Sequence, residues 1–227
     1  IGVIGINPDH LAMYRTMRYC TGNMTQYVVF HPQQPPRLAV VPPGKARPLP
    51  CPGRANLVEI TTASPPLNLH LGERAEQVPR KSQAYFESRY LRHPFYSYRV
   101  FSLELDGKAT GLLATRLAAH DGVRALLIVD WYGTPAALAQ SGPAIEGLLR
   151  ESDAEYADVW QFGIPAERLG GAGFAAVEVE GDLIVPTLFE PFVQANKRLQ
   201  FAFREKNNQP FVIMRADGDQ DRPNMRE

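Results

Sequence analysis

Residues 98–131, YRVFSLELDGKATGLLATRLAAHDGVRALLIVDW, decide the fold. Three apolar runs, 98–105, 109–118 and 123–131, are separated by Asp106-Gly107 and Asp121-Gly122. Asp-Gly supplies the positive φ that a two-residue hairpin between twisted strands requires, so the stretch reads as a three-strand antiparallel meander. Its last strand ends on Asp130, a carboxylate closing an otherwise apolar run, followed by Trp131.

Downstream, Thr134-Pro135 has the form of a cap followed by proline at the first helical position. The segment to Arg150 reads as helix, interrupted at Ser141-Gly142-Pro143. Residues 158–162 (DVWQF) read as a strand and 165–169 as a short helix running into Gly170-Gly171-Ala172-Gly173-Phe174; strands follow at 175–180, 183–188, 199–204 and 211–214. Upstream, Ser82 opens an amphipathic helix carrying Phe86, Tyr90 and Leu91, which ends before Pro94. Residues 31–66 hold 10 of the 20 prolines, which forbid regular helix. They read as a linker or wrapping arm, with a short strand at 56–61. The N-terminal unit is a strand (1–6), a helix opened by Asn7-Pro8 and continuing through Arg18, and a strand at 25–30.

The pattern VIGINPDHLAMYRTMRY overlays WQFGIPAERLGGAGF: an apolar strand, Gly-Ile, a proline opening a helix, then an aromatic. This internal repeat points to two related lobes. Because Ile1 falls inside a strand pattern, the chain is expected to continue something longer.

Lys+Arg and Asp+Glu both number 24, giving a formal net charge of zero with 44% apolar residues. A soluble globular chain is expected, with no excess of positive charge for nucleic-acid backbone binding. No apolar run reaches the roughly 20 residues of a membrane span and no signal peptide opens the sequence, so a cytoplasmic place is the expectation. Cys20 and Cys51 lack partners at metal-ligand spacing and read as ordinary residues.

Two clusters carry candidate chemistry. RYLRHPFYSYR sets Arg89, Arg92, His93 and Arg99 among aromatics, which suits stacking with phosphate or carboxylate binding, or equally a corner packed by aromatics with snorkelling arginines. Trp131-Tyr132 and Trp160 read as core or as a sugar platform. The terminal DGDQDRPN places Asp217, Asp219 and Asp221 at every second residue. An EF-hand is excluded, since the sixth position is Arg222 rather than glycine. A metal-binding Asp-x-Asp of a sugar transferase and a plain turn both remain open. The favoured reading has Arg215 and Arg222 fold back on the acids without a bound metal, leaving Asp219 to hold a substrate hydroxyl or amine. Asp217, Asp219, Arg222, Arg89, His93 and Trp131 are thus the substrate-binding candidates.

The order helix, three-strand meander, helix, strand, short helix ending in Ala-Gly-Phe, strand resembles the GNAT-superfamily N-acyltransferases. RYLRHPFYSYRVF, VDWYG, EYADVWQFGI, LFEPF and RADGDQDRPN together resemble a group of double GNAT-like proteins from bacterial surface-polysaccharide gene clusters, over most of residues 80–224. The resemblance implies an α/β fold with a mixed, largely antiparallel GNAT-like sheet flanked by helices. Residues 1–31 would be the C-terminal part of a first GNAT-like lobe, 32–79 the proline-rich linker or arm, and 80–227 the second GNAT-like domain. It also implies transfer of an acyl group from acyl-CoA or acetyl-CoA to an amino sugar or sugar-nucleotide intermediate. Asp130 would accept the proton of the attacking amine, Tyr156 would protonate the leaving thiolate, and Gly133 and Thr134 would hold the cofactor phosphates. The phosphate turn here, DWYGTPAALAQSGP, offers Gly133, Thr134 and a helix start but lacks the basic residue and a second correctly spaced glycine of that superfamily's loop. The alternatives are a non-catalytic lobe binding a carbohydrate precursor or a partner enzyme, and a metal-dependent sugar transferase using the terminal Asp-Gly-Asp. A homo-oligomer is compatible with all of these.

Overall fold

A computed structural model describes residues 2–43, 52–71, 78–188, 191–204 and 209–218. In chain order these form β1 (Gly2–Ile4), α1 (Leu11–Thr16), β2 (Cys20–Phe30), β3 (Asn56–Ile60) and α2 (Gln83–Phe86), which a π-helical turn, Glu87–Leu91, prolongs. Then come β4 (Tyr98–Leu105), β5 (Lys108–His120), β6 (Val123–Gly133), α3 (Pro135–Leu138), α4 (Gly142–Ser152) and β7 (Ala154–Phe162). The last described elements are α5 (Ala166–Gly171), β8 (Ala175–Val177), β9 (Leu199–Phe203), β10 (Ile213–Met214) and a 3-10 turn, Arg215–Gly218.

Local chemistry sets the element ends. Asp106 and Asp121 adopt φ of 51° and 48°, each followed by a glycine at 74°, so both Asp-Gly pairs form left-handed turns and β4–β5–β6 is the expected meander. Ser82 Oγ accepts the Tyr85 amide at 3.2 Å and Asn7 Oδ1 the Asp9 amide at 3.1 Å, capping the two expected helix starts. Thr134 makes no side-chain cap.

The strands form one sheet in the order β1-β9-β2-β7-β6-β5-β4-β3, with β8 on β2 and β10 on β7. Only β6 and β7 pair in parallel among the described strands; the rest are antiparallel. The α/β class with a mixed, largely antiparallel sheet flanked by helices is therefore the architecture. One face packs against α3, α4 and α5 through Phe101, Leu113, Leu126, Ile128 and Trp131. The other packs against α2 and the proline-rich segment through Val100, Leu112, Leu127 and Val129.

Tertiary pairing places three of the expected segments, and departs from expectation at 183–188. Residue 31 marks no break in the sheet, because β2 lies between β7 and β9, registered from Thr25↔Gln161 to Phe30↔Tyr156 and from Cys20↔Phe203 to Met24↔Leu199. The proline-rich segment is an arm built into the fold: Leu38 and Ala39 are core residues, and β3 forms the sheet edge on β4. Residues 183–188 make only an isolated bridge, Val40↔Ile184, because the arm rather than a strand lies alongside. Cys51 and Glu190 lie outside the described residues.

Candidate functional site

The site is created by a bulge. Ala114 of β5 faces Asp130, whereas Thr115 faces Ile128, so Val129 is an extra residue in β6. Strict alternation would send Val129 and Asp130 to opposite faces; the bulge leaves both on the α2 side and returns Trp131 to the α4 side. It also turns β6 away from β7. Their parallel register ends at Ile128↔Val159, although β6 runs on to Gly133 and β7 to Phe162.

The split does not stay open. Gln161 of β7 pairs with Thr25 of β2 on one edge and with Met214 of β10 on the other, the edge β6 has just left. Residues 213–218 touch both β6 and β7. Beside it lies an apolar void of ≈ 10 Å³ lined by residues including Ile128, Trp131, Val159 and Met214, whose walls offer no polar partner to an ordered water.

The filling segment is held by polar groups. Asp130 is fully buried and receives three donors: Lys81 Nζ at 2.6 Å and the Trp131 amide at 2.8 Å on Oδ1, and Tyr90 Oη at 2.7 Å on Oδ2. Lys81 Nζ also lies 2.7 Å from Asp217 Oδ1, and Asp217 Oδ2 accepts the Met214 amide at 2.9 Å. Arg215 donates to Asp158 Oδ2 on β7 at 2.7 Å, an oxygen shared with Gln26 Nε2 at 2.8 Å. The Arg89 guanidinium donates to the Ala216 carbonyl. Lys81, Asp130, Asp158 and Arg215 are each at most 5% exposed.

Burial dominates the electrostatics. It raises Asp130 to about 6 against the opposing pull of the Lys81 ammonium and Tyr90 hydroxyl, with Asp217 raising it further. Burial works against the charge on Lys81, but Asp130 and Asp217 outweigh it and hold its pKa above the ordinary value. Burial pushes Tyr85 up to about 12 and Tyr90 well above its usual value, and the Asp130 charge adds to both. Asp158 is also raised by burial, against Arg215 and Gln26.

Asp130, Asp217 and Arg89 thus converge on the split, whereas the other sequence-derived candidates lie elsewhere or are committed to packing. Tyr156 is fully buried, donates to the Pro186 carbonyl at 3.2 Å, and burial raises it far above its ordinary value, so its proton is held tightly. His93 lies in the corner, where Nδ1 accepts the Phe95 and Tyr96 amides at 3.2 and 3.0 Å and the ring stacks on Tyr96. Trp131 is core on the α4 face. Asp219, Asp221 and Arg222 lie outside the described residues.

The Gly133–Thr134 turn does not fit a cofactor pyrophosphate. A Cβ at Gly133 would stand 2.5 Å from Gly111 Cα and 2.6 Å from the Thr110 carbonyl, so glycine is needed there for strand packing. The Thr134 amide is bonded to the Thr110 carbonyl, and α3 is only four residues long. Nor is Asp217 arranged for a divalent ion, since an ammonium already occupies the Oδ1 side.

Sequence reading missed Lys81, Tyr90, Asp158 and Gln26 as members of this cluster. Asp158 and Gln26 are polar residues on inward strand positions, a signal available in DVWQF and TQYVVF; Lys81, a single lysine before a helix cap, carries none.

No protein-family model and no curated protein matches the sequence. Among solved structures, a GCN5-related N-acetyltransferase from Anabaena variabilis is similar at 11% identity and a TM-score of 0.42, over 88% of this chain and 45% of that one. A conserved protein of unknown function from Enterococcus faecalis, described as a probable N-acyltransferase, is similar at 12% identity and a TM-score of 0.42, over 88% of this chain and 44% of that one. The chain therefore spans less than half the length of either.

Proposed function

We propose that this chain is a binding lobe of acyltransferase-like architecture that takes an amino sugar or sugar-nucleotide intermediate of surface-polysaccharide synthesis, without itself transferring an acyl group. The observation that carries the non-catalytic part is the filling of the β6–β7 split by residues 212–218. Asp130, the candidate base, spends its carboxylate on Lys81, Tyr90 and the Trp131 amide. A base must reach the proton it removes, and this one is sealed beneath the chain's own tail. The carbohydrate ligand rests on the resemblance of RYLRHPFYSYRVF and RADGDQDRPN to the polysaccharide-cluster group.

A second reading, N-acyl transfer to the same sugar, keeps one observation in its favour: the Asp130 carboxylate at the β6–β7 split lies 2.7 Å from the Tyr90 hydroxyl, and withdrawal of residues 212–218 would open it to a substrate amine. Calorimetry with acetyl-CoA and with a uridine-diphosphate amino sugar separates the two. The binding-lobe reading expects saturable heat from the sugar nucleotide alone. Saturable acetyl-CoA binding establishes the second reading, and heat from neither ligand refutes the carbohydrate assignment.

A further inference from the structure

We propose a second binding site, going beyond that reading: a pocket at the far end of the α4 face that takes a small, uncharged, mostly apolar molecule. The pocket encloses about 310 Å³ between the 95–98 corner, the strand residues Thr115, Leu117 and Leu126, and Leu148 on α4. That volume is at the lower end of the roughly 300–1,000 Å³ of small-molecule sites, and apolar and aromatic walls are what such sites use to bind.

The charge pattern selects the ligand. Arg99 lines the pocket, but its Nε and one terminal nitrogen grip Glu59 at 2.9 and 2.7 Å, and the other terminal nitrogen donates to Glu151 at 2.8 Å. Its cation is matched by two carboxylates, so no unbalanced positive charge invites an anion, and its flat face lies over Phe101 at 4.9 Å. Arg116 lies over the Tyr96 ring at 5.0 Å, and the second carboxylate on Arg99 stands against its positive charge. The Ser152 hydroxyl is spent on the Leu148 carbonyl at 2.6 Å. Apolar surface is nevertheless on offer: Phe95 is 68% and Leu117 41% exposed, and both line the pocket. The hydroxyls of Ser97 and Thr115 also line the pocket, but its apolar and aromatic walls suit an uncharged aromatic or short aliphatic compound better than a sugar, which needs polar partners on every side.

The test is a fluorescence titration of the chain with the neutral probe N-phenyl-1-naphthylamine, repeated with the sulfonated analogue 8-anilinonaphthalene-1-sulfonate. The expected result is saturable 1:1 binding of the neutral probe, at least tenfold tighter than the anionic one. Leu117→Glu places a charge in the wall and weakens neutral-probe binding at least tenfold, while Val58→Glu, on the exposed sheet edge, leaves it unchanged. Because Leu117 is partly exposed, the variant is expected to fold, which circular dichroism checks; should it not, Phe95→Glu serves in its place. Absence of saturable binding, preference for the sulfonate, or equal binding by the wall variant and the parent overturns the proposal.

Discussion

Replacing Lys81 with methionine probes the buried cluster most sharply. The methionine keeps most of the stem's volume and flexibility, so the packing loss is small. What goes is the ammonium 2.6 Å from Asp130 and 2.7 Å from Asp217, leaving two carboxylates facing one another with Asp130 fully buried. Removing one partner of a buried ion pair costs about 3–5 kcal/mol, and Lys81 serves two acids, so the upper half of that range is expected. The sign of the pH dependence follows from Asp130. Its pKa is already raised to about 6 with the cation in place, and without the cation it rises further. A raised carboxyl favours the folded state at low pH and loses that advantage as pH climbs from its unfolded value towards its folded one. The defect of Lys81→Met should therefore grow between pH 5 and pH 8, by up to about 1.4 kcal/mol per pH unit until the new pKa is passed. Lys81→Met/Asp130→Asn removes the orphaned charge and should recover at least half of the loss. Urea unfolding of the three variants and the parent at both pH values gives these numbers. A loss under about 1 kcal/mol, or a defect larger at pH 5 than at pH 8, refutes the reasoning.

The remaining predictions concern neighbouring contacts. Tyr90→Phe should lower stability at pH 7 by about 1–3 kcal/mol through the lost hydrogen bond to Asp130. Above pH 10 the parent's folded state keeps the Tyr90 proton that the unfolded state has lost, so its stability falls as pH rises; the variant's slope should be shallower by about 1.4 kcal/mol per pH unit, measured by thermal melts. Arg215→Met leaves Asp158 buried without its cation and should destabilise by about 3–5 kcal/mol, with Arg215→Met/Asp158→Leu largely restoring urea resistance. Gly133→Ala forces a Cβ against Gly111 and should cost about 1–3 kcal/mol in the same assay, with or without acetyl-CoA.

The meander, the capped starts at Asn7 and Ser82 and the interruption at Ser141-Gly142-Pro143 are legible because hairpin turns, caps and helix breaks are local chemistry written within a few residues. Asp130 was legible as a carboxylate closing an apolar strand. Its environment was not, because the bulge at Val129 and the partner Lys81 arise only when β6, α2 and the tail meet. Arg215 and Asp217 were expected to pair near one another in the tail. Each is indeed held by an ion pair, but with remote partners, Asp158 and Lys81. The reason is that Ile213 and Met214 return into the sheet beside β7, a long-range pairing that no periodicity encodes. The same applies to β2, whose aromatic, β-branched run announces a strand without saying that it lies between β7 and β9.

The account turns on residues 212–218 being part of the fold that keeps the β6–β7 split filled. Amide hydrogen exchange at Met214 and Trp131, both bonded within the cluster, measures that directly, with and without saturating acetyl-CoA. The account predicts that both amides exchange only through global unfolding, with rates that acetyl-CoA does not change. Exchange through a low-energy local opening, or loss of protection at Met214 when acetyl-CoA is added, would contradict it.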